Sequence, residues 1–432
     1  MSFNEKKYTE FGEVHNEWSI NKLGNFITTL TDYHANGSYE KLKENVELFD
    51  DENYAIMIRT TNFEQNNFER SGFKYITKDA YEFLEKSKVF PNDILMNKIA
   101  NAGSVYLMPN LSKPVSLAMN LFLIRLNENE INQKYGYYFL KNFEPYVKTR
   151  ASGSVTKTIT KDNVRKLEIA FPNIYEQNSI VAILSSLDDK IELNNRINKN
   201  LEEMAQAIFK SWFVDFEPFK DKVFEDSELG MIPKGWRVGT LGELMAFCNG
   251  NAFKSSTYVQ KGDYKIITIK NVQDAFIDTI STNFINSIPY DVNNDCILNI
   301  GDVLISLTGN VGRVGIVFES NLLLNQRVAK IMPHNIETLP FIYYLFRQKE
   351  FKEYLENISK GTAQQNLSPV DTLKTKIIIN ENAIKLFSEI INPLFSKHIS
   401  LFQQNQVLSA LRDLLLPKLM SGEVRVPIGE MQ

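Results

Sequence analysis

Cysteine, histidine and long apolar runs are all scarce in this chain. Among its 432 residues only Cys248 and Cys296 are cysteines. Two thiols cannot build a disulfide scaffold or a cysteine-rich zinc site, and they fit a reducing, cytoplasmic setting. The four histidines, His15, His34, His334 and His398, never stand at metal-ligand spacing to one another or to a cysteine, so no metal is expected. No apolar run reaches the roughly 18 residues of a membrane span, and the opening Met-Ser-Phe-Asn-Glu-Lys-Lys has no signal-peptide core. A membrane partner is therefore not expected. Excess positive charge is also missing. The chain carries a net charge of −4, with residues 1–175 neutral and six net negative charges over 176–233. A stand-alone DNA binder shows a basic patch, so a DNA ligand would need a partner to neutralise part of its phosphate charge. Signatures of turnover are absent as well: no Walker A loop, no nucleophile elbow, no kinase set. Gly309, Gly312 and Gly315 lack dinucleotide-fingerprint spacing, and because Gly103 repeats one of them they read as a tight turn between strands. No catalytic residue and no cofactor is expected in this chain.

What is present is a duplication. Trp18 and Leu23-Gly24 match Trp236 and Leu241-Gly242 at an offset of 218. Asp93-Ile94-Leu95 matches Asp302-Val303-Leu304 at 209, and Lys190 and Leu201 match Lys397 and Leu408 at 207. Solenoid repeats run about 20–50 residues, so a period this long means two copies of a whole unit. Each copy opens with mixed strand and helix patterns and ends in a long helical stripe. The boundaries read as 1–175, 176–215 for the first stripe, 216–233 as an acidic linker, 234–380, and 381–432 for the second stripe and tail.

The first stripe runs from about Glu176 to Phe213, with Leu187, Ile191, Asn198 and Leu201 on the seam. The second starts near Ala383 and should end by Pro417, or one turn later if the leucine run carries it on, with Leu394, His398, Asn405 and Leu408 in the same register. Spacings of three and four held over several heptads are a coiled-coil pattern. His398 on this stripe reads as a seam residue. Asn198 and Asn405 share a repeat position, and a polar seam residue can specify register. Two such stripes related by a pseudo-two-fold axis would pack antiparallel.

The copies also share polar stretches at strand ends. Arg59, Thr61 and Asn62 match the Thr268–Asn271 stretch containing Lys270 and Asn271. Lys98 and Asn101 match the stretch with Thr308, Asn310 and Arg313. Arg150, Ser154, Thr156, Lys157 and Thr158 match Lys360, Thr362, Gln364, Gln365 and Asn366, and Gln326 with Arg327 adds a cluster to copy two. Arg and Lys pair with guanine, Asn and Gln with adenine, and Ser or Thr with either. The bland alternative is that these are ordinary loop residues. Thr156-Lys157-Thr158 against Gln364-Gln365-Asn366 puts different chemistry at one repeat position, as two readers of different sequences would need.

The chain resembles a specificity subunit of a type I restriction-modification system. The carriers are Ile232-Pro-Lys-Gly-Trp236 with Leu241-Gly-Glu-Leu244, Gly301-Asp-Val-Leu-Ile305, the Lys360–Leu367 loop, and Glu176-Gln177 with the Ile183–Ile191 run. The Leu201–Phe213 and Leu414–Glu423 segments complete the set. The resemblance implies an α+β fold of two mixed α/β target recognition domains joined by two long helices in an antiparallel coiled coil, a pseudo-two-fold internal repeat. Each domain would read one half of a bipartite double-stranded DNA site, while the helices set the spacer and dock two methylating (modification) subunits. S-adenosylmethionine and ATP/Mg would belong to partner subunits, including restriction/translocase subunits. Copy one departs from the pattern: it opens Glu17-Trp18 without the Pro-Lys-Gly that precedes Trp236, and it lacks Gln-Gln-Asn. The alternative class is a tandem scaffold binding protein or RNA, which would also account for the acidity.

Overall fold

The computed structural model describes residues 6–65, 67–68, 72–153, 156–359, 361 and 365–426. Ser154, Lys360, Thr362 and Gln364 lie outside the described residues. The chain forms two compact units: Met1–Asp189 with Ser409–Gln432, and Lys190–Leu408.

The units share one strand plan. Unit 1 opens with the hairpin Lys6–Thr9/Gly12–His15, and unit 2 with Phe224–Ser227/Gly230–Pro233. The second hairpin falls in the segment read from sequence as a linker. The two tips match in detail. Thr9 Oγ1 donates to the Gly12 carbonyl and Ser227 Oγ to the Gly230 carbonyl, each at 2.6 Å. A strand pair closes the base of each unit, Ser19–Lys22 with Glu168–Phe171 and Arg237–Thr240 with Lys376–Ile379. Two sheets follow. In unit 1 one sheet orders Ile27–Asp32, Leu121–Leu126, Ile94–Asn97 and Val105–Leu107, and the other Lys74–Ile76, Ala55–Ile58, Val115–Leu117 and Lys88–Val89. Unit 2 repeats both orders, with Ala275–Phe276 added to the edge of the first.

Side-chain alternation explains why the central strands read as unbroken apolar runs. In Leu121–Leu126, Phe122, Ile124 and Leu126 enter the core beneath the long helix, while Leu121 and Leu123 face the second sheet. Successive strand residues point to opposite faces, and here both faces are covered. The shared aspartate beside this core is structural. Asp93 takes two hydrogen bonds from the Arg125 guanidinium at 2.7 Å, and Asp302 takes Lys330 at 2.9 Å. Unit 2 also carries two short helices in succession, Leu339–Arg347 and Lys349–Ile358.

The long helices span Ile174–Phe213 and Glu381–Ser421. The second continues one turn past Pro417, the extension that the leucine run allowed. Proline inside a helix costs about 3 kcal/mol. Leu419 and Met420 are fully buried in the unit 1 core, with Leu415 and Leu416 packed against it, and that burial outweighs the penalty. In unit 1 the helices pair antiparallel, with Asp188 accepting from Arg412 at 2.9 Å and Glu176 from Arg425 at 2.6 Å. In unit 2 Asn194 Nδ2 donates to Gln404 and Asn405, both at 2.8 Å, and Phe209 meets Phe387. The seam is therefore antiparallel within each unit. Leu187, Ile191, Leu201, Leu394 and Leu408 lie on it partly buried, and Asn198, His398 and Asn405 are buried. The matched asparagines are not bonded to each other. Asn405 bonds Asn194 and Asn195, while both amide atoms of Asn198 are without a hydrogen-bond partner.

Candidate nucleic-acid interface

In each unit four polar stretches meet along one edge, held by the same backbone bonds. In unit 2 the Leu307 amide donates to the Arg327 carbonyl at 3.0 Å, Leu367 to Leu307 at 2.7 Å, Gly309 to Gln365 at 3.1 Å and Asn325 to Ile267 at 3.0 Å. In unit 1 Lys98 donates to Asn120 and Ile159 to Lys98, both at 2.9 Å, with Ala100 to Lys157 at 3.0 Å and Ala118 to Ile58 at 2.9 Å. These are equivalent positions throughout. Ala100 even takes φ +65°, a left-handed backbone unfavourable for alanine, where Gly309 has φ +79°. The frame is conserved between the copies while the side chains on it differ: Ile99 against Thr308, Lys157 against Gln365, Thr158 against Asn366.

Several residues expected to read bases are instead part of this frame. Asn62 and Asn271 are each only 1% exposed. The Asn62 amide takes the Arg59 N–H and donates to Asn67 and Gly72. Asn271 takes the Thr268 N–H and donates to Asp278 and Ser281. A buried amide with all these bonds made has nothing left for a ligand, and this is why the position recurs. Arg59 donates to the Gly72 carbonyl at 2.9 Å, and Arg313 to Gln273 at 3.1 Å. Arg150 pairs with Glu10 and lies over the Tyr146 ring. Thr308 is buried and donates to Asn366 at 2.9 Å.

Lys98 is held at 2.8 Å by Asp32, which also takes Lys161 at 3.3 Å. Burial pushes the Asp32 carboxyl upward, but the two lysines outweigh it and hold it below the ordinary carboxylate range. The groups left open to solvent on the two edges are Thr61, Asn101, Thr156 and Lys157 in unit 1, and Lys270, Asn310, Gln326, Arg327 and Gln365 in unit 2. Thr158 is half-buried, and Asn366 is exposed but bonded to Thr308.

The sequence reading missed the turn Ala118-Met119-Asn120. It stands where unit 2 has Asn325-Gln326-Arg327, between Val115–Leu117 and Leu121–Leu126. With Arg59, Thr60, Thr61 and Tyr33 it lines a cavity of about 250 Å³. Its signal was available: the 207 offset that joins Leu201 to Leu408 carries Arg327 onto Asn120.

Among the described residues no cluster of His, Cys, Asp and Glu could hold a metal ion, and no helix is long and apolar enough to cross a membrane. The type I restriction modification DNA specificity domain matches twice, over residues 16–203 and 233–383. The type I restriction enzyme MjaIX specificity subunit of Methanocaldococcus jannaschii is 29% identical over 98% of this chain and 97% of its own length. The HindI specificity subunit of Haemophilus influenzae is 26% identical over 86% of this chain and 94% of its own. A crystal structure of a type I restriction-modification S subunit from M. genitalium superposes with a TM-score of 0.56 at 19% identity. It covers 93% of this chain and 96% of that one, so it shares the fold.

Proposed function

Because the chain belongs to the type I restriction-modification DNA specificity family, we propose that each unit reads one half of a split, asymmetric duplex site through its loop edge. The specificity subunit is a non-catalytic recognition component. The observation that carries the two-reader assignment is the duplicated edge, with one hydrogen-bonded backbone frame bearing different exposed side chains in each copy. Base edges are discriminated by side-chain donors and acceptors, whereas a shared frame gives both readers the same approach. Each good bidentate contact contributes about 1–3 kcal/mol of discrimination. With a net charge of −4, this chain cannot supply most of the counterion-release affinity. Two methylating subunits, docked on the long helices, contribute the rest, along with S-adenosylmethionine; ATP and Mg serve restriction/translocase subunits. The helices set the spacer between half-sites, and the complex works in the cytoplasm, where the chromosome is.

Mapping methylated adenines genome-wide, with and without this chain, tests the reading. The expected result is one motif of two short specified blocks around an unspecified spacer. A single contiguous block, or no chain-dependent methylation, would overturn it.

A further inference from the structure

One turn on the unit 2 edge is tightly held, and unit 1 has a turn at the equivalent place. Gln326 and Arg327 join Leu322–Leu324 to Val328–Pro333, as Met119 and Asn120 join Val115–Leu117 to Leu121–Leu126. Arg327 has φ +70°, a left-handed conformation that a side-chain-bearing residue rarely adopts. Three bonds clamp it there: the Arg327 carbonyl accepts from Leu307 at 3.0 Å, Gln326 N–H donates to Asn251 at 2.9 Å, and Val328 N–H to Asn325 at 3.3 Å. Strain held by surrounding structure marks a position whose side-chain direction matters.

The other arginines of the two edges are engaged: Arg59 by Gly72, Arg150 by Glu10, Arg313 by Gln273. Lys157 and Lys270 are exposed, but an ammonium is a point charge without a planar fork. Among the described residues, Arg327 is the arginine of these edges whose exposed guanidinium has no hydrogen-bond or ion-pair partner.

We propose that Arg327 reads a guanine in the half-site of unit 2, donating two parallel N–H bonds to O6 and N7. Asn120, at the same station in unit 1, reads an adenine through N6 and N7. The assignment rests on the duplex-reading function above. It follows from the fit of a guanidinium fork to guanine and of a carboxamide to adenine in the major groove. A phosphate contact needs only charge and tolerates a mobile side chain on a relaxed turn. The clamped, strained turn of Arg327 fixes its Cα–Cβ direction, which suits a base edge, and Asn120 is assigned from its equivalent position.

The test uses the chain co-expressed with its methylating subunits in a host free of background methylation, with methylated adenines mapped genome-wide. Arg327→Gly keeps the positive φ without strain, so the turn still folds. Arg327→Lys keeps the charge and loses the fork. Both should reduce discrimination at one guanine of one half-site by roughly 5- to 150-fold, leaving the other half-site unchanged. Asn120→Ala should relax one adenine in the other half. The inference is overturned if the unit 2 half-site holds no guanine or if the variants keep the parent motif. It is also overturned if Arg327→Gly weakens all sites equally and Arg327→Lys restores them, the signature of a phosphate contact. If the parent complex methylates no split motif at all, the duplex-reading assignment falls too, and that is seen before any variant is made.

Discussion

The hairpin tips of the two units carry different residues in the same place. In unit 1 the Phe11 ring packs against Phe139, Phe143 and Tyr146 with centroids 4.9–5.5 Å apart. In unit 2 the tip residue is Leu229, 44% exposed, and an open cavity of about 650 Å³ remains between it, Phe341, Phe351 and Tyr354. The backbone bonds of the two tips are the same. Duplicated frames persist because each backbone bond constrains every residue around it, whereas a single packed side chain can be lost at a bounded cost. The same division governs the loop edges: shared amide–carbonyl bonds, diverged side chains.

The largest effect should come from the buried ion pair of unit 2. Arg347 donates to Glu202 at 3.0 Å, with both side chains largely buried. Arg347→Met strands the carboxylate and should cost about 3–5 kcal/mol in urea unfolding. In unit 1 the more exposed Arg412–Asp188 pair should cost only about 1 kcal/mol when Arg412→Met is made. Equal losses would show that burial does not separate the two pairs. Next in size, Phe11→Ala should destabilise unit 1 by about 3 kcal/mol, while Leu229→Ala costs less than about 1 kcal/mol. Leu229→Phe should raise stability if the cavity accepts the ring, and a neutral or negative result would show that the groove is not shaped for it.

His398 is buried against the Phe318 and Phe402 rings, beside the backbone of Asn198. Burial lowers its pKa, against the raising influence of nearby Glu202 and of the Asn198 backbone; Arg347 adds to the lowering. Its folded form therefore binds protons less readily than the unfolded chain. The stability this confers is present above the unfolded pKa of about 6.5 and lost as pH falls below it. The first copy has Ile191 at this repeat position. His398→Ile should add about 1 kcal/mol and flatten the stability profile between neutral and mildly acidic pH. An unchanged profile would place the acid sensitivity elsewhere.

A comparably small effect belongs to Lys98, whose unit 2 counterpart is Leu307. Asp32 has its folded pKa lowered, so the stabilisation is full above about pH 4 and lost as pH falls through the folded value. Lys98→Met should cost about 1 kcal/mol at neutral pH and nothing once Asp32 is protonated. A constant loss at all pH values would mean the lysine stem, not its charge, carries the effect.

Much of this was legible in the sequence. The offsets located both copies, and three-four spacing found both long helices within a few residues at their starts. Pro417 left the second helix's end open between itself and one further turn, and burial of Leu419 and Met420 decided for the further turn. The acidic segment before Trp236 read as a linker because a polar two-stranded hairpin has little apolar periodicity. The site was legible as loops but not as residues. Asn62 and Asn271 looked like readers because they recur, yet they recur because they hold the loops. Met119 and Asn120 were overlooked because a short turn without charge is seen only through the repeat offset, not from its own residues.

The sequence by itself determined the duplication and the reader-and-helix plan of each copy, since these rest on periodicity and residue type. Only the tertiary structure decided which polar side chains are free. Whether an amide or guanidinium faces solvent or a backbone carbonyl depends on residues far away in the chain: Gly72 for Arg59, Gln273 for Arg313, Asp32 for Lys98. Recognition depends on that remainder of unsatisfied donors, and only folding reveals it.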